Sequence, residues 1–279
     1  MALADPQTLE RVRQLTGSRA ARPGQRIQSL WSGYGEIRRV FLDGGPEVSV
    51  VVKQVEPPPR AHPRKLRSYE IESHWYRAWS GRCPTRLPRL LGTWSEGHRA
   101  LFVLEDLGAA GFDRPAGGRD VPAMLEWLAR FHAAFLGQQP EGLWPVGTYW
   151  HLATRPDELA RMSDRRLKKL APQLDARLNR ARFQTLIHGD AKPANFLVDA
   201  EGRVAAVDFQ YVGGGCGMRD VAYLLGRNSS RIRADLDHYF RALREALDDE
   251  IDGAALEAEW RGLYDTAWMD YERFLDGWR

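Results

Sequence analysis

Between residues 186 and 209 the chain sets three oxygen-bearing side chains in a fixed order. An apolar run, Leu186-Ile187, delivers His188-Gly189-Asp190. Five residues after Asp190 comes the amide of Asn195, followed by a second apolar run, Phe196-Leu197-Val198. Thirteen residues beyond Asn195, a second carboxylate, Asp208, ends the strand-like stretch Val204-Ala205-Ala206-Val207 and precedes Phe209. The turns of a β-hairpin can bring all three to one edge. Such a set suits a hard cation that keeps several waters, which means Mg²⁺ carried on substrate phosphates. Phosphoryl transfer uses these parts: a carboxylate to take or orient a hydroxyl proton, and oxygen ligands for the metal that bridges the phosphates. Singly, each residue is an ordinary turn or strand-end residue. Their joint order points to chemistry.

The pattern His-Gly-Asp-x-x-x-x-Asn, then Asp-Phe, resembles the catalytic and metal loops of the protein-kinase-like superfamily. It is closer to the aminoglycoside phosphotransferase and choline kinase branch than to protein kinases, because Gly189 stands where protein kinases usually carry Arg. The resemblance implies Asp190 as catalytic base, Asn195 and Asp208 as Mg²⁺ ligands, and His188 as a structural brace. Lys192, two residues past the base, is expected to help neutralise the transferring phosphoryl group, with a plain surface lysine as the other reading. Asp220, twelve residues after Asp208, matches an Asp that this branch places at a helix start to hold the catalytic loop; an ordinary N-cap gives the same residue type.

Upstream, three features stand in the order of an ATP lobe. Ser32-Gly33-Tyr34-Gly35 can form a glycine turn whose N–H groups approach phosphate oxygens, although a plain hairpin turn has the same composition. Lys53 lies inside the run Val48-Ser49-Val50-Val51-Val52-Lys53-Gln54-Val55. A lysine there needs an exposed strand face or an anionic partner, because unpaired burial is costly. By resemblance it holds the α- and β-phosphates and pairs with a helix glutamate. Glu72 is preferred, since Tyr69-Glu70-Ile71-Glu72-x-x-x-Tyr76 is similar to a pattern of ecdysteroid-kinase-like proteins, and Glu70 is the alternative. Val103–Leu107, with Glu105 and Leu107, sits where this superfamily offers backbone groups to adenine. Val207-Asp208-Phe209-Gln210 and the glycine-rich 213–217 extend the ecdysteroid-kinase likeness.

Departures narrow the reading. Gln210 replaces the Gly that lets the metal loop of protein kinases flip. Eleven residues separate Asp208 from Asp220, none of them Ser or Thr, and no Ala-Pro-Glu follows, so no activation loop with a phosphosite fits. Lys192-Pro193 matches protein-kinase loops, which keeps a protein Ser/Thr kinase as the alternative. A pseudokinase would have lost Lys53, Asp190, Asn195 or Asp208, and all four are present.

The elements that must position these residues divide near Gly108. Leu9, Val12 and Leu15 recur at helical spacing, and Gly17 closes a leading helix over 5–16. Strands are expected at Ile27–Trp31, Ile37–Leu42 and Val48–Val55, with Asp43-Gly44-Gly45 as a hairpin turn. A helix follows over 66–79, then strands at Leu90–Trp94 and Ala100–Leu104. Beyond Gly108 the periodicity turns helical, over 122–136, 156–180 and most of 219–277, around the strand-loop-strand block 185–212. The expected fold is α+β and two-lobed, protein-kinase-like: an N-terminal antiparallel sheet lobe with one main helix, and a larger helical C-terminal lobe. Residues 1–107 form the nucleotide-binding lobe. Residues 108–279 carry the catalytic loop 188–195, the metal loop 208–210 and the acceptor site, with ATP·Mg²⁺ expected between the lobes.

Composition describes a soluble, compact protein. At 279 residues the length suits two lobes, and 43% apolar with 28% charged residues is globular. The net charge, 40 − 37 = +3, is a weak field that gives no reason to expect nucleic acid. The basic run Arg161–Lys169 reads as a solvated helix face. Two cysteines, Cys83 and Cys216, exclude a disulfide framework. No stretch approaches the roughly 20 apolar residues of a membrane span, and Met1–Gly17 lacks the core of a secretory signal, so a cytoplasmic location is expected. The acceptor is expected to be a small-molecule alcohol met by the C-terminal aromatics Trp144, Tyr149, Trp150, Trp260, Tyr264, Trp268 and Tyr271. The last four share one helical face, which is either core or an acceptor wall. Asp270 beside them is either an amine ligand or solvated.

Overall fold

The computed structural model describes residues 5–227 and 231–279. It divides into two units, the first running up to Gly81 and resuming over Leu87–Arg114, the second formed by Arg82–Arg86 and Pro115–Arg279. The change of unit thus falls after Arg114 rather than near Gly108, and a five-residue strap, Arg82–Arg86, joins the second unit.

In the first unit, helix α1 (Pro6–Thr16) is capped by the Asp5 side chain on the Gln7 N–H and ends at Gly17 in the left-handed region. Five strands follow: β1 (Ala20–Ser29), β2 (Gly35–Asp43), β3 (Ser49–Val55), β4 (Leu90–Glu96) and β5 (Arg99–Glu105). They form one antiparallel sheet in the order β1-β2-β3-β5-β4. Strand β1 begins seven residues before the expected start at Ile27. Its first half, Ala-Ala-Arg-Pro-Gly-Gln, shows no alternation because β1 is an edge strand with little to bury, and an edge tolerates Pro23. Val50 and Val52 of the central strand pack with Val12, Val40, Leu42, Leu101 and Val103. Each such aliphatic side chain, fully buried, stabilises by roughly 1.5–3 kcal/mol. Strand alternation sends Lys53 to the opposite face.

That face meets helix α2 (Pro63–His74), which starts three residues earlier than the expected 66. Pro63 occupies the first turn and the His62 side chain accepts from the Arg64 N–H, so the start is fixed by capping rather than by apolar spacing. The regular helix stops at His74, and residues 75–79 open into one π-helical turn.

The second unit is built on α3 (Val121–Ala134), which buries Met124, Leu125, Trp127, Leu128, Phe131 and His132. The predicted helix 156–180 is two, α4 (Pro156–Arg161) and α5 (Arg165–Asn179). Asp164 caps α5 through the Arg166 and Leu167 N–H groups, and Asp276 accepts from the Ser163 and Asp164 N–H groups, which fixes the break. Short strands β6 (Thr185–Ile187), β7 (Phe196–Val198), β8 (Val204–Ala206) and β9 (Gly213–Gly215) make two small antiparallel pairings, β6 with β9 and β7 with β8. Within 219–277 the structure has α6 (Met218–Leu225), α7 (Ile232–Ala246) and α8 (Gly253–Trp278). Residues 228–230 of that expected stretch, and residues 1–4 of the leading segment, lie outside the described residues. Among the described residues no helix is long and apolar enough to cross a membrane.

Candidate active site

In the second unit, β6 is buried at all three residues and carries the chain into His188-Gly189-Asp190. Gly189 sits at φ 78°, where a Cβ would run into the Tyr211 carbonyl, so only glycine fits this turn. The β7–β8 hairpin then sets the other two groups. Asn195 immediately precedes β7 and Asp208 follows β8 by two residues, and the Val207 N–H donates to the Asn195 carbonyl at 2.9 Å. Both predicted metal-side residues therefore stand at one end of one hairpin.

Asp190 is nearly buried, at 6% exposure. Its Oδ2 accepts from Lys192 Nζ and from Asn195 Nδ2, each at 2.9 Å, and Asn195 Nδ2 also donates to the Asp190 backbone carbonyl at 2.8 Å. Its Oδ1 accepts from the Tyr223 hydroxyl at 3.2 Å. Burial pushes the Asp190 carboxyl above the ordinary carboxylate range; the Lys192 cation opposes this and the nearby Asp208 charge adds to it. Asp208 takes a left-handed backbone, φ 68°, and its Oδ1 accepts from Gln210 Nε2 at 2.7 Å. Gln210, in place of a flexible glycine, thus holds the second carboxylate.

His188 braces the loop. Its Nδ1 accepts from the Asp190 N–H at 3.3 Å, which leaves Nε2–H to donate to the Val207 carbonyl at 3.1 Å. That pairing fixes one neutral tautomer and ties the Asp190 turn to the Asp208 turn. Asp220 of α6 accepts from the His188 N–H at 2.6 Å and the Gly189 N–H at 2.9 Å. It is fully buried, and His132 of α3 reaches it at 3.2 Å while bonding the Tyr239 hydroxyl at 2.8 Å with its other nitrogen. Sequence reasoning missed His132, Tyr239 and Tyr223. The available signal was a polar residue, His132, on the face of α3 that Leu125, Leu128 and Ala129 otherwise keep apolar.

In the first unit Lys53 Nζ donates to both oxygens of Glu72, at 2.9 and 2.7 Å, with both side chains buried. Glu70 is exposed and pairs with Arg67 instead. Ser32-Gly33-Tyr34-Gly35 forms a tight turn between β1 and β2, with Ser32 at φ 54° and Gly33 at φ 77°. Tyr34 points inward rather than to a ligand: it is 3% exposed and its hydroxyl accepts from the His62 N–H at 2.7 Å. At the end of β5, the Glu105 N–H donates to the Arg89 carbonyl, and the Leu107 carbonyl accepts from the Ala110 and Phe112 N–H groups.

The donor chemistry fits Mg²⁺. One carboxylate and one amide oxygen at a hairpin end suit a cation that keeps its waters and leans on substrate phosphates, not an all-protein cage. No group of three or more His, Cys, Asp or Glu side chains able to hold a metal occurs among the described residues.

The aromatic stripe of α8 divides. Trp260 is fully buried, its Nε1 donating to the Phe183 carbonyl, and Tyr264 is buried with its hydroxyl on the Gly226 carbonyl. Tyr271 is half-buried and lies 4.8 Å, ring to ring, from Tyr223. Asp270 is neither an amine ligand nor solvated. It is fully buried against Arg219 at 2.8 Å, Arg273 at 2.9 Å and the Trp150 indole N–H at 3.2 Å.

Comparisons with known proteins identify the fold and the family. The fold is similar to that of a putative fructosamine-3-kinase from Thermobifida fusca, at 19% identity and TM-score 0.55, over 95% of this chain and 98% of that one. Aminoglycoside phosphotransferase APH(3'')-Id from Streptomyces rimosus, solved with ADP and streptomycin, gives 17% identity and TM-score 0.53 over 98% of both chains. Macrolide 2'-phosphotransferase MphH from Brachybacterium faecium gives 15% and 0.54 over 95% of this chain and 91% of that one. These likenesses carry the protein-kinase-like fold. No curated protein sequence matches the chain. Residues 27–264 match the model of the phosphotransferase enzyme family, APH, and the chain belongs to that family.

Proposed function

We propose that this phosphotransferase moves the γ-phosphoryl group of ATP to a hydroxyl of a small molecule, with Mg²⁺. The observation that carries the reading is the fixing of Asp190. Lys192 and Asn195 occupy its Oδ2, and the remaining lone pair on Oδ1 is directed to an incoming alcohol. Asp190 accepts the alcohol proton; the alcohol oxygen forms the new P–O bond, the β,γ-bridging P–O bond breaks, and ADP leaves. Lys192, half-exposed beside the base, offsets charge on the transferring group. Asn195 and Asp208 would hold the metal, which when bound neutralises and bridges phosphate oxygens.

In the other unit, Lys53, held straight by Glu72, takes the α- and β-phosphates. The turn Ser32–Gly35 offers backbone N–H groups to phosphate oxygens, and the Tyr34 ring supports that turn from within. Adenine is met by backbone groups of the stretch Val103–Leu107, with Glu105 and Leu107 at its end. Positioning and charge neutralisation supply most of the rate, because this reaction asks little covalent work of the protein. The ADP held by the Streptomyces rimosus relative supports the nucleotide assignment.

The test is an ATP-consumption screen across hydroxylated metabolites and antibiotics, with Asp190→Ala as the blank. Acceptor-dependent consumption in the native enzyme that drops by about 10²–10⁴ in the variant supports the reading. Equal consumption by both overturns it.

A further inference from the structure

Among the described residues three non-glycine positions take a positive φ: Ser32, Asp208 and Thr148. The first two lie at the phosphate turn and the metal loop. Thr148, at φ 94°, is β-branched and buried, a combination that sits badly in this region and that the surrounding fold must enforce. Its N–H donates to the Tyr211 carbonyl, and the next residue, Tyr149, donates its own N–H to the Gly189 carbonyl at 3.1 Å. The strained turn thus pins Tyr149 to the residue before Asp190.

Tyr149 is one of three half-buried tyrosines gathered at the base. Its hydroxyl lies 3.4 Å from those of Tyr223 and Tyr271, and Tyr223 donates to Asp190 Oδ1 at 3.2 Å. Burial pushes the Tyr149 and Tyr223 phenols well above their ordinary pKa, so both stay neutral and keep donor and acceptor capacity. The three rings meet edge to face, at interplanar angles of 67°, 75° and 65°. Trp150 and Phe274 pack on the same group. Ring faces taken up by one another and, at Tyr149, by the Arg155 guanidinium 5.8 Å from the ring centroid do not form a box for a further cation. What the cluster offers a ligand is hydroxyl groups.

Charge points the same way. Lys192 balances Asp190; of the two carboxylates that flank Tyr271 in sequence, Asp270 is consumed by Arg219 and Arg273, and Glu272 pairs with Arg227 at 3.8 Å. An ammonium arriving at Oδ1 would face Lys192, with both carboxylates that flank Tyr271 already paired to arginines.

We propose that Tyr149, Tyr223 and Tyr271 form the acceptor seat, and that the seat takes a neutral, ring-shaped polyol. One hydroxyl of the polyol gives its proton to Asp190 Oδ1 as its oxygen displaces ADP from the γ-phosphorus of ATP. A neighbouring hydroxyl exchanges hydrogen bonds with the phenols. This inference rests on the phosphotransfer reading above.

The experiment follows label from γ-labelled ATP, with Mg²⁺, into myo-inositol, D-glucose, D-ribose, kanamycin and choline. The expected result is transfer to at least one of the three neutral polyols, with kcat/KM at least about tenfold above both cationic compounds. Tyr271→Phe, which keeps the ring and removes the hydroxyl, then raises KM for that polyol about tenfold with kcat little changed. Tyr149→Phe does the same if the first variant folds poorly. Transfer only to kanamycin or choline overturns the inference, as does transfer to none of the five by an enzyme that still binds and slowly hydrolyses ATP. So does an unchanged polyol KM in both Phe variants. A native enzyme that neither binds nor turns over ATP overturns the phosphotransfer reading itself, and this inference with it.

Discussion

Asn195 holds Asp190 with one nitrogen, Nδ2 donating to the backbone carbonyl at 2.8 Å and to the side-chain Oδ2 at 2.9 Å. The residue proposed to hold the metal therefore also fixes the proposed base. Asn195→Ala loses both functions, and transfer falls by about 10²–10³. Raising Mg²⁺ does not restore it, because the base stays misplaced. Asn195→Asp keeps a metal-binding oxygen but sets a carboxylate against Asp190 Oδ2, and transfer stays low. Rates titrated against Mg²⁺ in both variants check this; full recovery of Asn195→Ala at high Mg²⁺ would separate the two roles.

Lys53 and Glu72 make a buried ion pair, and removing one partner leaves the other charge uncompensated. Glu72→Gln is expected to cost about 3–5 kcal/mol of stability. Lys53→Met with Glu72→Leu recovers most of that loss, since an apolar pair of similar volume avoids desolvating two charges. The double variant still fails to bind ATP tightly. Urea unfolding of the two single variants and the double, read as a cycle, together with nucleotide titration, tests both halves.

Asp220 accepts two backbone N–H groups of the Asp190 turn, at His188 and Gly189. Asp220→Asn puts an amide donor where an acceptor is required and costs about 1–3 kcal/mol, with a larger loss of transfer because the turn carrying the base is released. His132→Phe removes the group bracing Asp220 and gives a smaller effect in the same direction. Comparing thermal unfolding with transfer rate in each variant measures the order.

Burial works against ionisation of Asp106, but hydrogen bonds from Arg39 and Ser49 outweigh it and hold the carboxyl below its ordinary range. A depressed folded-state pKa contributes stability that is present above the unfolded value and lost as pH falls through the folded one. Asp106→Asn is therefore less stable than the native chain at pH 7. The gap closes progressively below an ordinary carboxyl pKa of about 4. Melting temperatures of both proteins from pH 7 to pH 3 report it; a gap independent of pH would place the Asp106 contribution elsewhere.

The local grouping of the candidate residues was more legible in the sequence than its supports. The order Asp190, Asn195, Asp208 survives as a cluster because all three sit within one short hairpin and its approach, where spacing alone limits geometry. Lys53 was legible because a charge inside a valine run demands a partner, and Glu72 lies on the neighbouring helix. His132 and Tyr239 were not, since His132 meets Asp220 across 88 residues of sequence and Tyr239 meets His132 across 107, and only packing joins them. Asp270 was misread for the same reason: its two arginine partners include Arg219, 51 residues earlier. Strand β1 escaped because an edge strand has too little buried surface to impose alternation. Helix starts at Pro63 and Arg165 were set by capping side chains, signals shorter than the apolar periodicity used to find the helices.

The most direct measurement pairs nucleotide affinity with turnover in Asp190→Asn, a change that keeps the shape of the side chain and removes its charge. The account predicts ATP·Mg²⁺ affinity within about threefold of the native enzyme and transfer reduced by at least about a hundredfold. Native turnover by Asp190→Asn would contradict it.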